Sequence, residues 1–437
     1  MRRLIATLAL LVVWAVPAGA VTVERVTSPG GVEAWLVQDH SNPIIDMEIA
    51  FRGGAAVEGA ARPGLAHMAG GLLDEGAGPY DSQAFQTKLE DLAIELGFDA
   101  SKDYFRGHLK TLVENRETAF DLFRLALTQP RFDKEPVERI RGQILAALAR
   151  QQQSAETTAA LEWYRTEFAG HPYAQPTRGT PESVKAISAT DLRGYVKSHL
   201  GRDNLVISVV GDVTPDQLKP LLDSTFGALP AKAVAAPVAD VAPRTPGRTL
   251  VIARNNPQAS AMFGAPAIKR ADSDWYAAYV MNYILGGGGF SSWLTEEVRE
   301  KRGLAYSVYS YLQPMAHAGL LIGGVATENS RFAESVELIK AEFSRMRDEG
   351  PSERQLADAK TYLVGSFPLQ MDSTTSVASL LVTMQLDELG IDYLDRRNQL
   401  IQAVTLDDVK RVARRLLDPA ALSFVVVGSP EGVASTP

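Results

Sequence analysis

The chain has 437 residues, 46% of them hydrophobic and 22% charged, with a formal net charge of −8. That length suggests two or more domains with a sizeable core, and the acidic balance gives a nucleic-acid partner no electrostatic support. There is no cysteine, which excludes disulfides, thiolate metal sites, cysteine nucleophiles and lipid attachment at an N-terminal cysteine.

Residues 1–20 read as a signal peptide. Arg2 and Arg3 form a basic start, Leu4 to Val16 an apolar run, and Ala18-Gly19-Ala20 a small-residue cleavage site. The run is too short to span a bilayer, so no membrane span is expected. The expectation is a mature chain beginning near Val21 and located in the periplasm of a Gram-negative bacterium.

Strands are predicted over Val32 to Val37 and Ile44 to Phe51, separated by Asn42-Pro43. Apolar residues at helical spacing (Phe85, Leu89, Leu92, Ala93 and Leu96) predict a helix over Phe85 to Leu96, with further helices over Phe120 to Leu127 and Ile140 to Leu148. Between the first strands and these helices lies Gly64-Leu65-Ala66-His67-Met68-Ala69-Gly70-Gly71. In an H-x-x-E-H helix two imidazoles at i and i+4 share a face and hold zinc, and the glutamate between them is the general base. Only His67 remains of that set; Gly70 stands at the glutamate position and Gly71 at the second histidine. A lone imidazole cannot hold a catalytic zinc, which needs three protein ligands and a water. His67 therefore reads more simply as a packed core residue, although Asp74 and Glu75 follow within two turns. His40, His108, His171, His199 and His317 show no i,i+4 pairing.

The chain divides at residues 230–248, where Pro230, Pro237, Pro243 and Pro246 lie among alanines and valines. Such a stretch continues neither a helix nor a central strand, so it reads as a linker between domains at 21–229 and 249–437. The halves look related. Asp191, Leu200 and Gly211 recur as Asp408, Leu417 and Gly428 at a constant offset of 217 (408 − 191, 417 − 200, 428 − 211). A gap-free match of helix start, β-branched strand and glycine suggests internal duplication. Each half is then an α+β layer with helices packed on a sheet.

In the second half, Gly286, Gly287, Gly288 and Gly289 lack the Gly-Lys-Ser/Thr ending of a phosphate loop. They fit either a helix-ending turn or a flexible substrate contact. Arg299 and Tyr306 follow in Arg299-Glu300-Lys301-Arg302-Gly303-Leu304-Ala305-Tyr306. A guanidinium and a phenol both donate to developing negative charge. The plainer alternative is a solvated helix end followed by a packed strand tyrosine. No Gly-x-Ser-x-Gly elbow supports a serine hydrolase.

Together, Gly64 to His67, Gly170-His171-Pro172-Tyr173, Leu205 to Asp212, Leu285 to Ser292 and Leu294 to Tyr311 resemble the pitrilysin/insulinase family of inverted-motif zinc peptidases. The resemblance is closest to the short two-domain branch that includes mitochondrial processing peptidase subunits and paired bacterial homologues. It implies two homologous metallopeptidase-like domains closing around a chamber. It also implies a third zinc ligand, a glutamate roughly eighty residues after the first histidine, which counting places at Ala147. No Asp or Glu occurs between Glu138 and Glu156. By the same resemblance Arg299 and Tyr306 hold the substrate backbone or its oxyanion, and the glycine run contacts substrate. The pattern matches the subunit of a heterodimer that has lost zinc and kept the Arg/Tyr pair. The implied partner carries an intact His-x-x-Glu-His with its zinc, this chain holds no cofactor, and the substrate is a peptide or unfolded segment. The alternatives are a binding or structural protein on the same fold, and an autonomous metallopeptidase built around His67 and Asp74.

Overall fold

The computed structural model describes residues 21–234, 236–244 and 247–436. The signal-peptide reading of residues 1–20 and Pro246 of the linker lie outside the described residues. Among the described residues, eleven strands form two sheets. The first contains β1 (Glu24–Thr27), β2 (Glu33–Gln38), β3 (Ile44–Arg52), β4 (Glu95–Ala100), β5 (Tyr104–Leu112) and β6 (Leu205–Gly211) in the order β1-β2-β6-β3-β5-β4. The second contains β7 (Thr249–Ala253), β8 (Gln258–Pro266), β9 (Ala305–Pro314), β10 (Gly319–Glu328) and β11 (Ser423–Gly428) in the order β7-β11-β8-β10-β9.

Position by position these are one topology used twice. Both sheets pair their last strand in chain order, β6 or β11, parallel to one neighbour and antiparallel to the other. Among the described strands only β1 lacks a counterpart, and its place beside β7 is taken by Ser435 and Thr436, whose backbone and hydroxyls bond Thr249 and Val251. The duplicated helices are matched at their caps. In Ala189–His199 the Ser188 hydroxyl accepts from Asp191 N and the Asp191 carboxylate from Ser188 N; in Leu406–Leu416, Thr405 and Asp408 do the same. Both helices stop at a leucine in extended backbone, Leu200 and Leu417. The chain is therefore α+β, with two similar domains.

The predicted helix over Phe85 to Leu96 overruns its end. The helix spans Ser82–Asp91, and Glu95 and Leu96 open β4. Ala93 turns the backbone left-handed at φ 50°, and Ile94 N bonds Leu89 O. Leu96 continues the apolar period, but its role is to bury one face of a strand.

Each half also sends one helix onto the other's sheet. Ala155–Glu167, from the first half, packs on β8 and β11; Thr374–Leu386, from the second, packs on β3 and β6. Trp163 of the first helix is fully buried with Met262, Leu320 and Val427. Leu381 and Ala378 of the second lie against Trp35 and Val210. Polar groups fix these contacts: Ser208 Oγ donates to Ala378 O at 2.7 Å, and Arg52 donates to Leu386 O at 2.8 Å and Gln385 O at 3.0 Å. Residues of the 230–248 stretch are also tied to both domains, with Val241 N bonded to His317 O and Arg244 N to Glu167 O.

Candidate functional site

His67 lies on the short helix Leu65–Gly70, which begins at Gly64 with φ 96°. The Glu58 carboxylate accepts from Gly64 N at 2.8 Å and Ala66 N at 2.7 Å, satisfying amides that a helix start leaves unpaired. Burial pushes the Glu58 carboxyl up to about 7 against the pull of these amides. The helix ends at Gly70, with Gly71 as its cap, so the positions of the glutamate and second histidine fall at its last turn. A Cβ at Gly70 would meet Phe98 O at 3.1 Å and Asp99 Cα at 3.3 Å, because β4 passes directly over it. Gly71 faces Ile140, which sits on the helix Lys134–Gln151 that also carries Ala147.

The His67 ring opens on a cavity of about 530 Å³ between the two domains, shared with Asp99, Lys102, Arg178, Tyr164 and Gln313. Burial lowers the imidazole pKa, the Arg178 guanidinium lowers it further, and Asp99 opposes both. Lys102 is held by the carbonyls of Tyr173 at 2.8 Å and Gln175 at 2.9 Å. The carboxylates expected one to two turns beyond His67 turn elsewhere. Glu75 pairs with Arg139 at 2.5 Å and accepts from Ser82, while burial raises Asp74 to about 6 beside Glu75 and Gln86. The helix has ended before either residue, so the face they were expected to share with His67 does not exist. Among the described residues no group of three His, Asp or Glu is placed to hold a metal ion.

Arg299 and Tyr306 occupy a second site. Arg299 sits in a π-helical turn, Thr295–Glu300, where Lys301 N bonds Glu296 O five residues back at 2.9 Å. Tyr306 is on β9, the outer strand of its sheet. Ala326 pairs with Ser307 and Thr327 with Ala305, so Tyr306 is the extra residue of a β-bulge. It is 80% exposed, which overturns the reading of a packed strand tyrosine. The Arg299 guanidinium lies 5.2 Å from the Tyr306 ring centre and 4.6 Å from that of Phe290, itself 68% exposed. Sequence reading missed Phe290; its signal was an apolar aromatic placed directly after the glycine run.

Gly286 and Gly289 of the glycine run have separate structural duties. Gly286 is buried, and a Cβ there would strike Ser310 Oγ and N at 2.2 and 2.7 Å. Gly289 holds φ 57° in open space just before Phe290, a backbone form that side chains disfavour. The structure does not bring the Arg299 cluster to His67. Gln313, at the cavity, and Tyr306 are separated by about 23 Å of strand at ordinary β rise.

Two family models match the chain: insulinase (peptidase family M16) over residues 34–181, and the peptidase M16 inactive domain over 186–363. This chain belongs to the M16 family. Among its M16 relatives, the non-peptidase homolog YmxG of Helicobacter pylori is 29% identical over 433 residues, covering 98% of this chain and 99% of that protein. A probable mitochondrial-processing peptidase subunit beta of Schizosaccharomyces pombe is 26% identical over 402 residues, covering 87% and 85%. A crystal structure of a peptidase M16 inactive domain from Pseudomonas fluorescens superposes with TM-score 0.88 at 29% identity, covering 95% of this chain and 99% of that one. The zinc that active M16 members use does not fit these residues. One imidazole faces a guanidinium, and Gly70, Gly71 and Ala147 offer no side-chain donor atoms.

Proposed function

We propose that this chain is the zinc-free subunit of a periplasmic two-subunit M16 peptidase. Its partner carries the intact His-x-x-Glu-His with zinc and base, and this chain contributes the groups that hold an extended peptide at the composite site. Arg299 and Tyr306 are the donors in this reading: a guanidinium and a phenol can both bind a peptide carbonyl or the oxyanion it becomes. The observation that carries it is the contrast between the two sites. The His67 site has no metal-binding set among the described residues, while Arg299 and Tyr306 are kept together at an exposed strand edge by a bulge and a π-helical turn. Distorted backbone of this kind persists where surrounding structure holds it, and it is concentrated at functional sites. Beyond the buried Gly286, Gly287 to Gly289 lead into the same surface and would border the bound peptide. No described helix is long and apolar enough to cross a membrane.

The name of the Helicobacter pylori relative favours a second reading, a non-catalytic binding protein on the same fold. Tagged purification of the chain from its native cell, with mass spectrometry of its companions, separates the two. A near-stoichiometric companion with an intact His-x-x-Glu-His, and peptide cleavage by the pair that falls in Arg299→Ala and Tyr306→Phe, is the expected result. Recovery of the chain alone under complex-preserving conditions would overturn the heterodimer.

A further inference from the structure

We propose that Phe290 is a positioning residue for Arg299, the third member of the substrate-holding cluster; this rests on the reading of Arg299 and Tyr306 given above.

Three irregular pieces of backbone converge on one guanidinium. Gly289, at φ 57°, starts the 3-10 turn Gly289–Ser291 and presents Phe290. That turn is pinned from both hydroxyls, with Ser291 Oγ donating to Gly288 O and Ser292 Oγ to Gly289 O, both at 2.8 Å. The π-helical turn sets Arg299, and the bulge sets Tyr306. Regular geometry in any of the three would aim its side chain elsewhere.

Phe290 has no packing role to explain its place, since most of its surface is in solvent. The left-handed glycine before it fixes the backbone from which the ring projects. Its one described ring partner is Arg299. The guanidinium has little else to hold it: among the described residues its one close carboxylate is the neighbouring Glu300, at 3.4 Å between a half-buried arginine and an exposed glutamate, a pairing worth little beside water. Arginine carries substantial rotamer freedom, and two ring faces restrict it while leaving its N–H donors unspent. Phe290 thus lowers the ordering cost of binding a carbonyl or oxyanion without touching the substrate itself.

The test uses the full chain reconstituted with its His-x-x-Glu-His partner and a quenched fluorescent peptide. Phe290→Ala is expected to lower kcat by about threefold to fivefold, the scale of an exposed cation–π contact, with KM changing less. Phe290→Tyr should restore the rate, and Phe290→Ala should add no loss in an Arg299→Ala background. In the isolated chain, Phe290→Ala should remove a ring-current shift from the Arg299 Nε–H resonance, and an unshifted resonance would overturn the proposal. Full activity in Phe290→Ala beside a loss in Arg299→Ala overturns the role of Phe290 and leaves the Arg/Tyr reading standing. Full activity in both Arg299→Ala and Tyr306→Phe overturns that reading and this inference with it.

Discussion

Trp163 lies directly over Gly264: a Cβ on that glycine would come within 2.7 Å of the indole Cζ2 atom. Trp163 belongs to the first half and Gly264 to the central strand of the second half's sheet. The missing side chain is what lets the helix Ala155–Glu167 seat on β8. Gly264→Val should destabilise the fold by about 1 to 3 kcal/mol through overpacking. Urea unfolding followed by tryptophan fluorescence measures it, and a variant as stable as wild type would show that this helix contributes little to the joint.

The duplicated caps make a second, independent prediction. Ser188→Ala and Thr405→Ala each remove a capping-box hydroxyl at equivalent starts in the two halves, and each should cost about 1 kcal/mol. The sites share no partners, so the double variant should cost about the sum. A loss at one cap and none at the other would mean that the matching geometry does not carry matching energy.

Stability should also depend on pH in a definite direction. Burial raises Glu58 and Glu48 to about 7 and Asp74 to about 6, above their unfolded values of 4.5, 4.5 and 3.8. Between the unfolded and folded values the native state binds more protons, so their contribution is fully present at the acid end and is lost as pH rises through the folded values. Between about pH 4 and 7 these three groups should reduce stability progressively. Glu58→Gln should flatten that slope in urea midpoints taken at pH 5 and 7.5. An unchanged slope would show that Glu58 ionises freely at the start of the His67 helix.

Much of this architecture is legible in local sequence because local chemistry makes it. Ser188 and Asp191, or Thr405 and Asp408, close their own caps within one turn, and the strand ending at Gly211 repeats at Gly428. The emptied zinc motif is legible for the same reason, since Gly70 and Gly71 cannot ligate anything. The bulge at Tyr306 and the π-helical turn under Arg299 are different. Each shifts a hydrogen-bond ladder by one residue, and no residue type demands that shift. Phe290 acquires a partner only when its turn meets the π-helical turn that sets Arg299. The exchanged helices were hidden as well, since their periodicity reports an apolar face but not whose sheet it covers.

The lost zinc site can be tested by rebuilding it. Zinc needs a third protein ligand beside a paired His-x-x-Glu-His, and the matching position, Ala147, lies on the helix whose Ile140 faces Gly71. Gly71→His has room, because its nearest side-chain neighbour is Ile140 Cγ2 at 3.6 Å. Gly70→Glu must instead displace the β4 backbone by a few tenths of an ångström, at about 1 to 2 kcal/mol. Zinc measured by mass spectrometry after dialysis should stay well below one per chain in wild type and in Gly70→Glu/Gly71→His. It should rise only when Ala147→Glu is added, and with less stability than the parent. Stoichiometric zinc in the wild-type chain would place a metal site where His67 now faces Arg178 and would remove the argument for a partner. Failure of the triple variant, if it remains folded, would mean that β4 closing over Gly70 has reshaped the site as well as emptied it.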